Sequence, residues 1–330
     1  MKKILLCLFI VKLSLFPQVY LEKLYDAIEN NNTREIQNIV ISYNVNLNYI
    51  YLNRESSFAS VYGDSYYTYT PLNWAILCKN INSIDTLLKL GANLEIETEY
   101  DYYTYHFSMR PLMLAVNLSN SQNIISFLIK KGANINAKND EGKTALMYSC
   151  CTEIEHKSFT DYTKILINAG ANIDMIDNEE RTALMYAAYS HSSTSVDLLI
   201  KNKADINAMD IYGSTPLMYA CFNSNKDSFG TLNPDVVKLL IKYGSDINAY
   251  DNYGNTALLY AVMMARDTLY QVKDENNKDY KNIYDTIKFL IDNGADVNVK
   301  NNRGETPLSI SSGNITDLLM ESGAYLNNYM

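Results

Sequence analysis

The sequence predicts an all-α solenoid of about eight stacked helix pairs with β-turn connections. Three observations predict it: a six-residue phrase occurs in seven copies, each copy is followed by paired aliphatic residues that end at a glycine or a substitute, and the step from that position to the next phrase is constant from Gly132 onward. The chain has 330 residues and 47% hydrophobic content, which is enough for a continuous core.

The first phrase marks the start of a helix in each repeat. It reads Thr-Pro/Ala-Leu with small variations and ends in Ala or Ser. A threonine side chain accepts hydrogen bonds from the first N–H groups of a helix, and proline is tolerated in that turn because those groups lack partners within the helix. The copies begin at Thr70, Arg110, Thr144, Thr182, Thr215, Thr256 and Thr306.

The second phrase predicts a second helix that ends at a glycine. Its aliphatic residues lie on one helical face, and glycine takes the left-handed conformation without steric cost. Two positions depart from the pattern: Lys203 stands where the terminating glycine belongs, and Glu180 stands where a turn glycine belongs. We therefore expect the fifth repeat to be looser than the others.

A turn closes each repeat. In it, Asp or Asn precedes Gly by three residues, as in Asp210 to Gly213, which suits a β-turn. We call the segment from one terminating glycine to the next first phrase the finger. From Gly132 onward this step is 12 residues, but it is 19 from Gly91 to Arg110 and is longer still before Thr70. The two N-terminal fingers are therefore lengthened and are predicted to form hairpins.

The shortest repeat spans 33 residues, and a helix pair of that size must stack on others to bury its faces. These motifs resemble the ankyrin repeat family, whose period is 33 and whose signature is Thr-Pro-Leu-His-x-Ala. The resemblance covers roughly Leu21 to Leu326 and implies protein binding along the fingers and first helices. At the signature histidine we expect apolar packing in its place, because the chain has Asn73, Met113, Met147, Met185, Met218, Leu259 and Ser309 there.

The repeats divide the chain into a leader, 1–17, and one array, 18–330. The expected helix pairs are 21–48 as an N-terminal cap, 68–95, 108–136, 142–174, 180–207, 213–248, 254–298, and 304–330 as a C-terminal cap.

The leader begins Met1-Lys2-Lys3 and continues with a mainly apolar run, which resembles a bacterial secretory signal. It is shorter than the about 20 residues that span a bilayer. We expect an exported protein, periplasmic or secreted, with a cytoplasmic location as the alternative and no stable membrane span.

Composition excludes several classes of function. The net charge of −9 opposes binding to phosphate backbones, so we expect no nucleic-acid partner. Cys150 and Cys221 occupy the same slot of two repeats and are interpreted as core residues. The three histidines are not at metal-ligand spacing, and no catalytic constellation is evident. We expect a monomeric protein that is not an enzyme, with no cofactor, metal or catalytic residue.

Tyrosine is the informative feature, with 28 copies. Tyrosine offers rigid amphipathic contact area and is enriched at binding hot spots. The candidate partner-binding residues in the lengthened fingers are Tyr66, Tyr67, Tyr69, Tyr100, Tyr102, Tyr103 and Tyr105, and the regular fingers add Ile211, Tyr212 and Tyr253. Compositional bias, or packing of the two long fingers on each other, would explain the first group without a partner. We interpret the recurring Tyr148, Tyr186, Tyr219 and Tyr260 as packing within the repeats.

The leading hypothesis is a non-enzymatic module that binds a partner protein of unknown identity. The alternative is an exported effector or ligand-binding protein whose activity lies in the insertions between paired helices, chiefly Met263 to Tyr284. A scaffold that arranges several partners is a third possibility.

Overall fold

A computed structural model describes residues 20–49, 51–53, 67–102, 105–151, 160–222, 232–272, 274 and 277–325. The chain divides into two compact units. The N-terminal unit comprises Met1–Tyr148 and Asn168–Gly170, and the C-terminal unit comprises Ser149–Ile167 and Ala171–Met330.

Within the described residues the helices follow one another in pairs. The N-terminal unit contains α1 (20–29), α2 (Thr33–Tyr43), α3 (Pro71–Leu77), α4 (Ile81–Lys89), α5 (Pro111–Val116) and α6 (Gln122–Lys130). Two helices have residues in both units, α7 (Ala145–Cys150) and α8 (Thr160–Asn168). The C-terminal unit continues with α9 (Ala183–Tyr189), α10 (Ser193–Lys201), α11 (Pro216–Cys221), α12 (Pro234–Lys242), α13 (Ala257–Val272), α14 (Lys278–Asp292), α15 (Pro307–Ile310) and α16 (Asn314–Glu321).

Stacking within each unit follows the solenoid rule. In the C-terminal unit the first helices α9, α11, α13 and α15 contact in succession, and so do the second helices α10, α12 and α14. In the N-terminal unit α3 contacts α5, and α2 contacts α4. Each pair thus buries its apolar faces against its neighbours, which confirms the predicted all-α solenoid.

The predicted helix caps are present. The Thr182 and Thr215 hydroxyls accept hydrogen bonds from the Met185 and Met218 amides, each at 3.4 Å. The Met218 sulfur in turn accepts from the Thr215 amide at 3.5 Å, so methionine partly fills the role of a polar capping residue.

The fifth repeat keeps the backbone conformation of the other repeats at both positions where its sequence departs from the pattern, and whether it is looser stays a prediction. Glu180 and Lys203 adopt φ angles of 60° and 71°, in the left-handed region where the other repeats have glycine. In the turn that contains Glu180, the Asp177 carboxylate accepts the Glu179 and Arg181 amides, each at 2.9 Å.

The lengthened fingers form an antiparallel sheet in the N-terminal unit. Its strands are β1 (Tyr51–Asn53), β2 (Tyr67–Tyr69), β3 (Thr98–Tyr102) and β4 (Tyr105–Met109), in the order β1-β2-β3-β4. The two hairpins join where Tyr67 pairs with Tyr100. The predicted short strands are therefore present, and the backbones of the two fingers pair directly.

The repeats' small core residues behave as expected. Cys150 and Cys221 are buried, and burial raises the pKa of each thiol to about 12, which keeps both protonated.

The insertion Met263 to Tyr284 lies between the paired helices α13 and α14, and it extends both of them. Its Tyr280 is fully buried and donates a hydrogen bond to Asn314 Oδ1 at 2.7 Å, so this part of the insertion belongs to the core.

Gly254 tests how closely the fingers approach one another. Its φ is +76°, and an added Cβ would lie 2.9 Å from Asn302 Oδ1 and 3.1 Å from the Asn301 Cα of the next finger. We expect Gly254→Ala to lower the free energy of unfolding by about 2–3 kcal/mol, because backbone strain and a steric clash combine. Chemical denaturation measures the effect.

Gly304 is the matched control, since it has φ +80° in the same turn position and would meet only the flexible end of Lys300 at 3.3 Å. Gly304→Ala should cost about 1 kcal/mol. Equal losses for the two variants would contradict the close approach of the fingers.

Candidate partner-binding groove

A groove with a volume of about 280 Å³ lies in the C-terminal unit, where two regular fingers meet the first helices α11 and α13. Most of its wall is aromatic. The lining residues are Asp210, Tyr212, Ser214, Met218, Tyr219, Phe222, Tyr253 and Tyr260. We call it the aromatic groove.

Each finger beside the groove is held by one carboxylate. Asp210 Oδ1 accepts the amides of Tyr212 at 2.9 Å and Ser214 at 2.8 Å, and Asp251 makes the same pair of bonds with Tyr253 and Asn255. These side chains mimic a backbone turn, which is why Asp recurs at this position. The turn fixes the backbone that carries Tyr212 and Tyr253.

Neighbouring fingers are joined by backbone hydrogen bonds. The Asn252 amide donates to the Tyr212 carbonyl at 2.8 Å, and the Asn302 amide donates to the Tyr253 carbonyl at 2.9 Å. The fingertips therefore form a hydrogen-bonded row, so the backbone that carries the exposed side chains should lose little entropy when a partner binds.

The first-helix tyrosines do more than pack. The hydroxyls of Tyr186, Tyr219 and Tyr260 donate to Oδ2 of Asp177, Asp210 and Asp251 at 2.6, 2.7 and 2.5 Å. Burial and then this hydrogen bond raise the pKa of all three phenols, so they stay protonated donors. Each bond ties a finger to the helix nine residues later, a link that the sequence interpretation missed.

The predicted finger residues of the C-terminal unit lie at the surface. The exposed fractions are 44% for Tyr212 and 55% for Tyr253, and Ile211 is also exposed. Phe222, which the sequence did not single out, is exposed at the groove and packs edge-on against Tyr260 with ring centres 5.5 Å apart. Tyr212, Phe222 and Tyr253 line the aromatic groove, and the role of the predicted finger residues in binding remains a prediction.

The N-terminal tyrosines divide differently. Tyr69 is only 8% exposed, its ring centre lies 5.4 Å from that of Trp74, and its carbonyl accepts the Tyr25 hydroxyl at 3.1 Å. Tyr69 is thus a core residue, and its assignment to a partner-binding surface was wrong, because strand alternation does not reveal which face is buried. Tyr66 and Tyr103 lie outside the described residues, as do the side chains of the strand residues Tyr67, Tyr100, Tyr102 and Tyr105.

The described segments contain neither a metal-binding cluster nor a membrane-spanning helix. There, no three His, Cys, Asp or Glu side chains converge in a way that could hold a metal ion. No helix in those segments combines the length and the apolar character needed to cross a bilayer.

Comparisons with known proteins agree with the repeat pattern. A family model described as "Ankyrin repeats (3 copies)" matches residues 112–210, 154–232 and 209–281, which together make up just over half of the chain. The crystal structure of the ankyrin repeat domain of Bcl-3, described as a unique member of the IkappaB protein family, is similar with a TM-score of 0.54 and 26% sequence identity. The match covers 76% of this chain and 98% of that one. No curated protein sequence matches.

Proposed function

Because the chain belongs to the ankyrin repeat family, whose repeats generally serve in protein–protein interaction, we propose that it is a non-enzymatic module that binds a partner protein at the aromatic groove. The observation that carries the proposal is the exposed aromatic row on a rigid frame. Tyr212 and Tyr253 are each about half exposed beside a groove that is itself walled by rings. Aromatic side chains in such a position supply the anchors that dominate binding energy.

The test uses the full chain as bait in a lysate of the source organism, followed by mass spectrometry and measurement of the affinity of the purified partner. The double variant Tyr212→Ser/Tyr253→Ser should weaken binding at least about 30-fold, the loss expected from removing hot-spot contacts. Both residues are exposed, so the free energy of unfolding should change little.

Tyr270→Ser is the matched control. Tyr270 is 82% exposed and lies on the insertion end of α13, outside the groove lining. It should leave the affinity unchanged. A partner that binds the double variant as well as the unaltered chain would remove the groove as the binding surface.

We propose in addition that the protein is exported, on the strength of the basic start at Lys2 and Lys3 and the apolar run that follows. Sequencing the N-terminus of the mature protein tests this. A mature chain that begins at Met1 and is recovered from the cytoplasm would contradict it.

A further inference from the structure

One position in the repeats differs in charge along the chain. It is the fourth residue after the Asp or Asn of the finger. Four repeats also have a tyrosine in the first helix, nine residues after that Asp or Asn. At the position in question these repeats carry Lys143, Arg181, Ser214 and Asn255. In the first two of these four repeats, a cation lies over the tyrosine ring of the same repeat. Lys143 Nζ lies 5.8 Å from the Tyr148 ring centre, and the Arg181 guanidinium lies 5.3 Å from the Tyr186 ring centre.

Arg181 shows what the tyrosine–carboxylate pair can hold. Its Nε donates to Asp177 Oδ2 at 2.9 Å, the same oxygen that accepts the Tyr186 hydroxyl. A second guanidinium nitrogen lies 2.9 Å from a Glu179 carboxylate oxygen. A guanidinium therefore fits against the ring and the carboxylate together, through both cation–π attraction and a charged hydrogen bond.

Ser214 leaves the next copy of this arrangement open. Asp210 is buried and accepts the Tyr219 hydroxyl through Oδ2, as Asp177 accepts that of Tyr186. Within the described part of the chain, however, no ion pair reaches Asp210; the nearby Arg181 is held by Asp177 and Glu179. The aromatic groove opens at this point, with Asp210, Ser214 and Tyr219 in its wall.

Charge favours a cationic occupant. Acidic and basic residues balance in the sequence of the N-terminal unit, so the C-terminal unit carries the whole net charge of −9. The exposed rings of Tyr212 and Tyr253 supply further faces for a planar cation at the groove. Arginine suits this site better than lysine because its planar guanidinium stacks on rings and is less strongly hydrated.

We propose that the aromatic groove accepts an arginine side chain of the partner protein, which takes the place that Arg181 fills in the preceding repeat. The inference rests on the proposed function and names the chemistry that the groove recognises. The guanidinium lies against the Tyr219 ring and donates to the free lone pair of Asp210 Oδ2.

The probe is a fluorescein-labelled octapeptide of alternating glycine and arginine, compared by anisotropy with peptides that carry citrulline, lysine or glutamate in place of arginine. Citrulline has the shape of arginine without its charge. The full chain should bind the arginine peptide at least about tenfold more tightly than the citrulline peptide, and more tightly than the lysine peptide.

Two variants locate the site. Asp210→Asn removes the charge but keeps the finger, since Asn139 fills the same position and its Nδ2 contacts the Tyr148 hydroxyl oxygen at 3.1 Å. Ser214→Arg places a guanidinium in the groove from the chain itself. Each should lower the affinity for the arginine peptide about tenfold. Asp235→Asn changes the net charge equally on the exposed side of α12 and is the control.

Equal binding of the arginine and citrulline peptides, or equal losses from Asp210→Asn and Asp235→Asn, would overturn the inference. Equal binding of the lysine peptide would overturn the assignment to a guanidinium. If the partner is lost with Tyr212→Ser/Tyr253→Ser while arginine shows no advantage over citrulline, the binding function stands and the arginine inference falls.

Discussion

Replacing Asp177 with alanine is expected to lower the free energy of unfolding of the C-terminal unit by about 3–5 kcal/mol. The Asp177 carboxylate is buried and accepts four hydrogen bonds, from the amides of Glu179 and Arg181, from Arg181 Nε and from the Tyr186 hydroxyl. Alanine would leave the buried Tyr186 phenol without its acceptor and would leave the half-buried Arg181 guanidinium with Glu179 as its remaining carboxylate partner. The same change would release a finger turn that has Glu180 in the position where Gly213 and Gly254 stand in the next two fingers.

Asp177→Asn separates the charge from the turn. An asparagine Oδ1 can still accept the two amides, so this variant should lose less than the alanine variant, about 1–2 kcal/mol. Chemical denaturation, with hydrogen exchange of the Glu179 and Arg181 amides as a local readout, distinguishes the two. Equal stability of the alanine variant and the unaltered chain would show that the carboxylate does not hold the finger.

The same group gives stability a dependence on pH. Burial alone would raise the pKa of Asp177, but hydrogen bonds from Tyr186 and Arg181 outweigh it and hold the pKa below its ordinary value. The stabilisation is thus complete above the unfolded pKa of about 4 and is lost as the pH falls through the lower folded value. The difference in the free energy of unfolding between the unaltered chain and Asp177→Ala should therefore become smaller in strong acid.

The sequence was sufficient for features whose causes are local. A threonine cap or a terminating glycine depends on a few neighbouring residues, so Thr182, Thr215 and Gly294 were read correctly. The tyrosine–aspartate bonds cross a turn and a helix start, and residue chemistry alone did not reveal them. A signal was nevertheless present, because Asp or Asn stands nine residues before the first-helix tyrosine in four repeats.

The candidate site was only partly predictable for a different reason. Alternation along a strand tells which residues share a face, but packing decides which face is buried, and the Trp74 ring decided it for Tyr69. The exposure of Tyr212 and Tyr253 was predictable because they stand beside a turn glycine, where the backbone is at the surface, and their role in binding stays a prediction. Ser214 has no charged group to place over the Tyr219 ring. The sequence did not reveal this difference, because only the structure shows that Arg181, the equivalent residue of the preceding repeat, lies over the Tyr186 ring.

His191 is expected to make the C-terminal unit sensitive to mild acid. It lies in the turn between α9 and α10 with a φ of 52°, and both ring nitrogens are buried with no hydrogen-bond partner among the described residues. Burial lowers the pKa of His191 to about 4, whereas an unfolded histidine titrates near 6.5. The folded chain therefore keeps the ring neutral at a pH at which the unfolded chain takes up a proton.

The sign of the effect follows from that difference. Above about pH 6.5 the ring is neutral in both the folded and the unfolded chain, so it does not make the free energy of unfolding depend on pH. Between pH 6.5 and 4 the unfolded chain binds the proton more readily, and protonation favours unfolding. The loss should reach about 2 kcal/mol at pH 5 and level off near 3 kcal/mol below pH 4. His191→Asn is the matched variant, because asparagine tolerates this φ and occupies the corresponding turn at Asn31 and Asn120. Denaturation at pH 8 and pH 5 should show the unaltered chain losing about 2 kcal/mol more than the variant, and parallel losses would mean that the ring is hydrated or paired in the folded protein.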